Sequence, residues 1–386
     1  MKISKAFKYR FFPTQGQKQQ LAHTFGCARF VYNRMLDART KAWHQDHKSL
    51  HYHATATLLT QLKTQTETAF LNEVSSVVLQ QSLRNLDTAF RNFFAKRADY
   101  PTFKSRKTAQ SVRYANNAFT FKDDQLTLAK QHQPLEISWS RPLPKDAQIQ
   151  SLTISRDSAD RYFVSVLVET NIKPLKKVKA TVGIDVGLKD LATLSNGEKL
   201  PNPKFLQIKE RRLKIRQRRL SRKVKGSKNR KQARLEIARI HAKVADTRRD
   251  YLHKFTTKTI RENQAVFVEG LCVANMLKNH CLAKAISNAA WGEMFRQLEY
   301  KAEWNGRSYL ALDRYFPSSK LCSTCGHLLI KLPLSVREWD CPACSTHHDR
   351  DSNAAINIKI AGQYLLYTES DARKSTPTRN ERRRSA

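Results

Sequence analysis

The chain has 386 residues, 40% of them hydrophobic, which is enough for two or three domains with true cores and too apolar for a disordered polymer. Its 70 Lys and Arg against 33 Asp and Glu give a formal charge of +37, a self-repulsion that calls for a polyanionic partner, with nucleic acid the expected one. No apolar run reaches the roughly 18 residues of a membrane span, no long basic helix has an uninterrupted apolar face, and Met1-Lys2-Ile3-Ser4-Lys5 lacks the apolar core of a secretory signal.

Ile3, Phe7, Tyr9 and Phe11 fall on one side of a period-two pattern, which predicts a strand over 3–12 that ends at the Pro13-Thr14 turn. Thr14 and Gln17 then form a capping box, and Leu21, Phe25, Ala28, Tyr32 and Met35 recur at helical spacing. A second stripe is Leu79, Leu83, Leu86, Phe90 and Phe93. The apolar residues of both stripes read as the core of a helical bundle, while the polar face, with Gln80, Gln81, Arg84 and Arg91, is free to touch DNA. From Tyr100-Pro101 to about Thr170 short alternating runs return at 125–129, 135–139, 149–155 and 162–168. One strand before the helices and several after them make a small antiparallel β-barrel with a helical insertion the economical topology. Lys104, Arg106, Lys107 and Arg113 add charge at the mouth of that barrel and are candidate nucleic-acid contacts, although a charge run is usually a solvated face.

A basic linker over 174–179 leads into Thr181-Val182-Gly183-Ile184-Asp185-Val186-Gly187, where Val182, Ile184 and Val186 face one way and Asp185 the other. Leu191 to Ser195 and the turn pair Asn196-Gly197 extend this into a hairpin. Residues 204–262 read as a helical hairpin broken around Gly226. Between Lys209 and Lys231 it carries 13 Lys or Arg and one acid, Glu210, too many cations for pairing along a helix face. Arg211, Arg212, Arg218, Arg219, Arg222 and Lys223 are therefore candidate phosphate contacts, each adding roughly 0.7 to 0.9 to the log–log salt slope of binding. An apolar strand over 265–268 ends at Glu269. A helix around 291–303, a strand around 308–312, a cysteine-rich segment and a helix starting at Asp351 complete the pattern, and the Arg-rich tail over 366–386 is expected to be disordered.

Cys322-x2-Cys325, fifteen residues, then Cys341-x2-Cys344 has the spacing of four thiolates around one tetrahedral zinc, with Gly326 and Pro342 at the knuckle turns. Two disulfides would need an oxidising compartment that nothing else suggests, and a reducing cytoplasm is the expected setting. Cys27, Cys272 and Cys281 are scattered and read as ordinary buried thiols. Asp185, Glu269 and Asp351 sit mid-strand between glycines, at a strand end and at a helix start, places where carboxylates rarely add stability. Each alone is at least as well explained as a turn acid, a helix-start acid or an N-cap. Together, packed side by side, they could all stay ionised only with cations between them. Mg²⁺ or Mn²⁺ suits all-oxygen ligands, and a pair about 4 Å apart can support in-line hydrolysis of a phosphodiester.

With Lys8-Tyr9-Arg10 to Pro13, Cys27-Ala28-Arg29-Phe30-Val31-Tyr32-Asn33, Tyr100-Pro101-Thr102-Phe103-Lys104, Gly183 to Gly187, Val268-Glu269, Ser318-Ser319 to Cys325-Gly326 and Asp349-Arg350-Asp351-Ser352-Asn353-Ala354-Ala355, the chain resembles the transposon-encoded TnpB (OrfB) family over almost its whole length. That family comprises compact relatives of type V CRISPR effector nucleases. The resemblance implies an α/β multidomain fold: an RNase H-like RuvC nuclease domain over 180–320 and 348–365, with a zinc ribbon inserted over 321–347. A wedge-like β-barrel domain over 1–13 and 99–172 would precede it, carrying a helical recognition domain over 14–98. By resemblance, Asp185, Glu269 and Asp351 correspond to the three RuvC metal-binding acids, and the four cysteines to the ribbon.

The activity implied is RNA-guided DNA cleavage. A guide RNA from the transposon end would direct the protein to double-stranded DNA next to a short transposon-adjacent motif, with one structural Zn²⁺ and two catalytic Mg²⁺ or Mn²⁺ ions. The setting would be bacterial or archaeal cytoplasm, beside the nucleoid. One departure is Ser345 where the family commonly has glycine after the fourth cysteine, which predicts altered ribbon geometry with zinc retained. Rival readings are an RNase H-superfamily transposase acting on transposon ends, whose acids usually run Asp, Asp, Glu, and a non-cleaving DNA-binding regulator.

Overall fold

The computed structural model describes residues 2–107, 110–144 and 146–375. The chain divides into two compact units that meet in sequence at Asn171 and Ile172.

The first unit opens with β1 (Lys2–Phe11), whose Ile3, Phe7, Tyr9 and Phe11 are all buried, as their alternation requires. Thr14 caps α1 (Gln15–Asp46): its side chain accepts from Gln17 N, and the Gln17 side chain accepts from Thr14 N. Helix α2 (Tyr52–Thr64), a 3₁₀ stretch (Thr66–Glu73) and α3 (Ser76–Phe94) complete a helical layer around Val31, Met35, Leu36, Leu71, Leu79 and Leu83. Phe93 of the second stripe is half-buried, with the Tyr100 ring packed edge-on 5.3 Å away.

Strands β2 (Gln110–Ala115), β3 (Phe119–Lys122), β4 (Gln125–Leu128), β5 (Ile137–Ser138), β6 (Gln148–Arg156) and β7 (Tyr162–Asn171) follow. All of β1 pairs antiparallel with β7, from Lys2↔Asn171 to Phe11↔Tyr162, within a sheet of order β2-β6-β7-β1-β5. Strands β3 and β4 form a separate hairpin. The helices thus interrupt the chain between β1 and its sheet neighbours.

The second unit is built on a mixed sheet of order β10-β9-β8-β11-β12. Strands β8 (Thr181–Asp185), β9 (Asp190–Leu194) and β10 (Lys199–Pro201) form antiparallel pairs, and the turn between the last two holds Gly197 at φ +87°. Helices α4 (Phe205–Ser221) and α5 (Lys228–Glu262) make the long hairpin, which turns at Gly226 (φ +88°); the Ser227 hydroxyl then caps α5 at Arg230 N. Strand β11 (Ala265–Val268), fully buried, runs parallel to β8. Helices α6 (Val273–Met276), α7 (Ala283–Ala289) and α8 (Trp291–Asn305) lead to β12 (Ser308–Ala311), parallel to β11.

Val182, Ile184, Val266 and Val268 face Leu252 and Ile260 of α5 and Met294 and Leu298 of α8. The opposite face, with Ala265 and Phe267, packs against Ile358 of α9 (Arg350–Ser375), which follows the small ribbon of β13 (Glu338–Asp340) and β14 (His347–Asp349). Contact there is close: a Cβ at Gly183 would lie 2.2 Å from the Ala355 carbonyl oxygen, and one at Gly362 would lie 2.2 Å from the Phe267 ring.

Helix α9 continues to Ser375, into the first part of the 366–386 segment that the sequence reads as a disordered tail. At the start of that stretch Leu366 packs on the Phe267, Leu312 and Ile358 cluster, which gives the helix an apolar contact there. Residues 376–386 lie outside the described residues. Among the described residues, no helix is long and apolar enough to cross a membrane.

Candidate functional site

The register of β8 and β11 brings the first two acids together. Ile184 pairs with Val268 in parallel, so Asp185 and Glu269 leave neighbouring strands at the same end of the sheet, with strands about 4.8 Å apart. The third acid arrives on α9. Glycine at position 183 lets that helix sit directly on the β8 backbone, and Asp351 lies one turn before Ala355. Asp185 is held well above the usual carboxylate range by burial first, then by the charges of Glu269 and Asp351, while Arg350 and the Val186 backbone oppose the shift. Burial also raises Glu269, against the pull of the Ser318 hydroxyl, which donates to its Oε1 at 2.6 Å.

Asp185, whose proton affinity is raised by the charges of the other two acids, together with Glu269 and Asp351 could hold a hard divalent cation through oxygen ligands alone. Besides Arg350, further cations border the cluster. Lys199 Nζ pairs with Asp349 at 2.9 Å, and Arg337 lies 3.5 Å from Asp351. Arg337 had no sequence signal, because it sits fourteen residues from its partner in a segment read only for its cysteines.

The ribbon thiols converge as their spacing predicts. The four Sγ atoms of Cys322, Cys325, Cys341 and Cys344 lie within 4.8 Å of one another. Cys322 and Cys344 are 3.7 Å apart and Cys325 and Cys341 3.6 Å, close to the separation of about 3.8 Å that a tetrahedron with 2.3 Å Zn–S bonds requires. A hydrogen bond with Thr346 brings the Cys344 thiol down to about 6, toward the thiolate a metal needs.

Both knuckles close with a residue of positive φ, Gly326 at 77° and Ser345 at 56°. Their amides donate to Cys322 O and Cys341 O. Ser345 therefore adopts the left-handed turn that glycine would favour. His348 lies against Cys322 (Nε2 to Sγ 3.1 Å) and packs on Trp339, outside the thiolate set. Of the other cysteines, Cys27 is buried as expected, whereas Cys272 is half-buried and Cys281 exposed in the α6–α7 turn, which has too little apolar surface to cover it.

Candidate phosphate contacts of the basic hairpin line clefts on its surface. Arg212 lines one of about 540 Å³ with Lys209, Arg216, Arg239 and Lys243, and Arg219 and Lys223 line another of about 330 Å³. Among the described lining residues Glu236, paired with Arg216, is the one acid in either cleft. Arg211, Arg218 and Arg222 are exposed outside these clefts. Arg239 and Lys243 went unnoticed in the sequence because they lie on α5, beyond the densest run.

In the first unit, Lys104 and Arg113 line one cavity of about 220 Å³ with Arg29, and none of its described lining residues is acidic. Asn33 grips the Lys104 backbone at both N and O, and the ammonium lies 3.9 Å over the Tyr32 ring, where burial lowers its pKa. Gln80 is exposed and Gln81 half-buried on α3, away from the residues lining that cavity.

Three family profiles match the chain: a "Helix-turn-helix domain" of the IS605 OrfB group over 1–48, a "Probable transposase" of the same group over 163–280, and a "Cas12f1-like, TNB domain" over 291–358. A Streptomyces pristinaespiralis protein named "Putative RNA-guided DNA endonuclease" is 54% identical over 361 residues, spanning 93% of this chain and 90% of its own. The chain belongs to the TnpB (OrfB) family. A second TnpB relative, "Putative RNA-guided DNA endonuclease InsQ" of Escherichia coli (strain K12), is 32% identical over 401 residues, spanning 99% of this chain and 98% of its own. The fold of this TnpB protein is also that of Cas12f1 as solved by cryo-EM in a Cas12f1–sgRNA–target DNA complex: the TM-score is 0.58 at 13% identity, covering 93% of this chain and 99% of that one. Despite the name of the first profile, residues 2–46 hold one strand and one 32-residue helix.

Proposed function

We propose that this TnpB protein is an RNA-guided DNA endonuclease whose single hydrolytic centre is formed by Asp185, Glu269 and Asp351. The observation that carries the reading is the meeting of three carboxylates at the ends of two parallel strands and the start of a helix, in a chain 54% identical to a relative named for that activity. The β8–β12 sheet with α9 on one face supports an RNase H-like RuvC domain interrupted by the ribbon. The antiparallel sheet of the first unit, with its β3–β4 hairpin, supports the wedge-like barrel carrying the inserted α1–α3 layer.

Each residue then has a task. Asp185 and Glu269, side by side, and Asp351, from α9, would hold the divalent cations, and the partial burial of the first two would limit competition from bulk water. When bound, two Mg²⁺ or Mn²⁺ ions would supply an activated water and stabilise the leaving oxygen of the phosphodiester. Zn²⁺ would be held by the four thiolates and would fix the ribbon beside the start of α9. The clefts of the α4–α5 hairpin and the Arg29–Lys104–Arg113 cavity would neutralise backbone phosphates of a guide RNA derived from the transposon end and of target DNA beside a transposon-adjacent motif.

The test is expression with the native flanking DNA, sequencing of the nucleic acid that copurifies, and cleavage by the recovered complex. A discrete RNA that crosses the transposon boundary, together with Mg²⁺-dependent cutting of DNA matching it, is the expected result. Selective retention of transposon-end DNA with only nonspecific RNA would favour the transposase reading. Guided binding without cutting would favour a regulator.

A further inference from the structure

Ser318 is 3% exposed and lies four residues before the first zinc cysteine. Its hydroxyl donates to Glu269 Oε1 at 2.6 Å, and among the described residues no hydrogen bond reaches Glu269 Oε2. The segment that carries it is gripped from α9. Asn357 Nδ2, itself buried, donates to Ser318 O at 2.8 Å and to Leu321 O at 2.6 Å. Asn353 Nδ2 donates to the same Leu321 carbonyl at 2.8 Å, and its Oδ1 accepts from Ser323 N at 2.9 Å. Asn353 and Asn357 are one helical turn apart, and the first follows Asp351 by two residues. One helix thus sets the place of Asp351 and, through two amides and a serine, the carboxylate of Glu269.

We propose that Ser318 is a positioning residue for the divalent-metal site. A glutamate at a strand end has three rotatable side-chain bonds, and nothing else described holds its carboxylate in one orientation. A buried hydroxyl on one oxygen fixes the rotamer, occupies one of its lone pairs, and would leave the second oxygen to a divalent cation. The two asparagines keep the hydroxyl from following the carboxylate if it swings. The ribbon contributes as well, because Leu321, where both amides converge, adjoins Cys322. This proposal rests on the reading of Asp185, Glu269 and Asp351 as that site.

The test uses the full-length, zinc-loaded protein, with Mn²⁺ as the probe and its binding followed by electron paramagnetic resonance. In Ser318→Ala, Mn²⁺ affinity is expected to fall about 10- to 100-fold, the range seen when an outer partner of a metal ligand is removed, while zinc stoichiometry and melting temperature stay near those of the parent. A purely structural serine would move the last two and leave affinity alone. Parental Mn²⁺ affinity in a folded Ser318→Ala protein overturns the proposal. Should that variant not fold, Ser318→Cys keeps the volume with a much weaker donor, and parental affinity there overturns it equally. Glu269→Gln is run alongside: if it too binds Mn²⁺ like the parent, the acid-site reading itself fails, which separates that failure from the serine's.

Discussion

Gly183→Ala puts the docking of α9 to a quantitative test. The added Cβ would lie 2.2 Å from the Ala355 carbonyl oxygen and 2.5 Å from the Lys359 amide, both backbone atoms of α9 that no rotamer change can remove. Ordinary contact begins at 3.4 Å, so the helix must withdraw by roughly 1 Å in a close-packed interface. Overpacking of this kind costs about 1 to 3 kcal/mol. For a unit of this size that lowers the melting temperature by about 2 to 12 °C. Asp351 rides at the head of the displaced helix, and a misplacement near 1 Å can cost on the order of 100-fold in rate.

Calorimetry and single-turnover cleavage of a matched duplex would be measured side by side. Gly292→Ala, where nothing lies within 4 Å of the new Cβ, serves as the control and is expected to match or slightly exceed the parent in stability. Parental melting and cleavage in Gly183→Ala would refute the direct seating of α9 on β8.

Asp185→Ala should abolish metal-dependent cleavage while guide-RNA affinity, measured by filter binding, stays within about twofold of the parent, because the acid repels rather than binds phosphate; retained cutting would remove it from the site. Cys322→Ser should lower zinc content, read by atomic emission, and destabilise the ribbon, and unchanged zinc stoichiometry would count against the four-thiolate site. Replacing both Arg212 and Arg219 with Gln should lessen the log–log salt slope of nucleic-acid binding by about 1.4 to 1.8, and an unchanged slope would place the polyanion elsewhere. Burial raises Asp185 and Glu269 above their ordinary values of 3.8 and 4.5, so the folded metal-free chain holds these protons more tightly than the unfolded one. Their stabilising contribution is therefore complete below about pH 4 and is lost as pH rises through the raised values. Mn²⁺, which favours the ionised forms, should accordingly raise the melting temperature more at about pH 8 than at about pH 5, and a pH-independent increment would contradict this.

Features governed by near neighbours in sequence were legible before the fold was known. The Thr14–Gln17 box involves three residues' separation, the alternation of Phe7, Tyr9 and Phe11 declares its buried face, and the cysteine knuckles carry their geometry in their spacing. Strand β2 escaped notice because only Val112 and Tyr114 mark its buried side, flanked by polar and charged residues, and α2 because its threonines and His53 blur the apolar period. The acids were recognisable as a constellation, but their meeting depends on a parallel pairing between strands some eighty residues apart and on a glycine that only the seated helix explains. Ser318 and Arg337 were beyond reach for the same reason: each acts on a carboxylate distant in sequence, and neither belongs to a periodic pattern.

The ten-residue pairing of β1 with β7 bears on how the protein is made. β1 leaves the ribosome well before its partner, since the strand it zips to begins about 150 residues later. At about 5 to 20 residues per second, the nascent Phe7, Tyr9 and Phe11 wait roughly 8 to 30 s for a partner. Helices α1 to α3, which share a core of their own, can close in the meantime. A translation product that stops short of residue 171 would therefore carry a folded helical layer and an orphaned, apolar strand, a species prone to strand-to-strand association and a natural client for chaperones acting during synthesis.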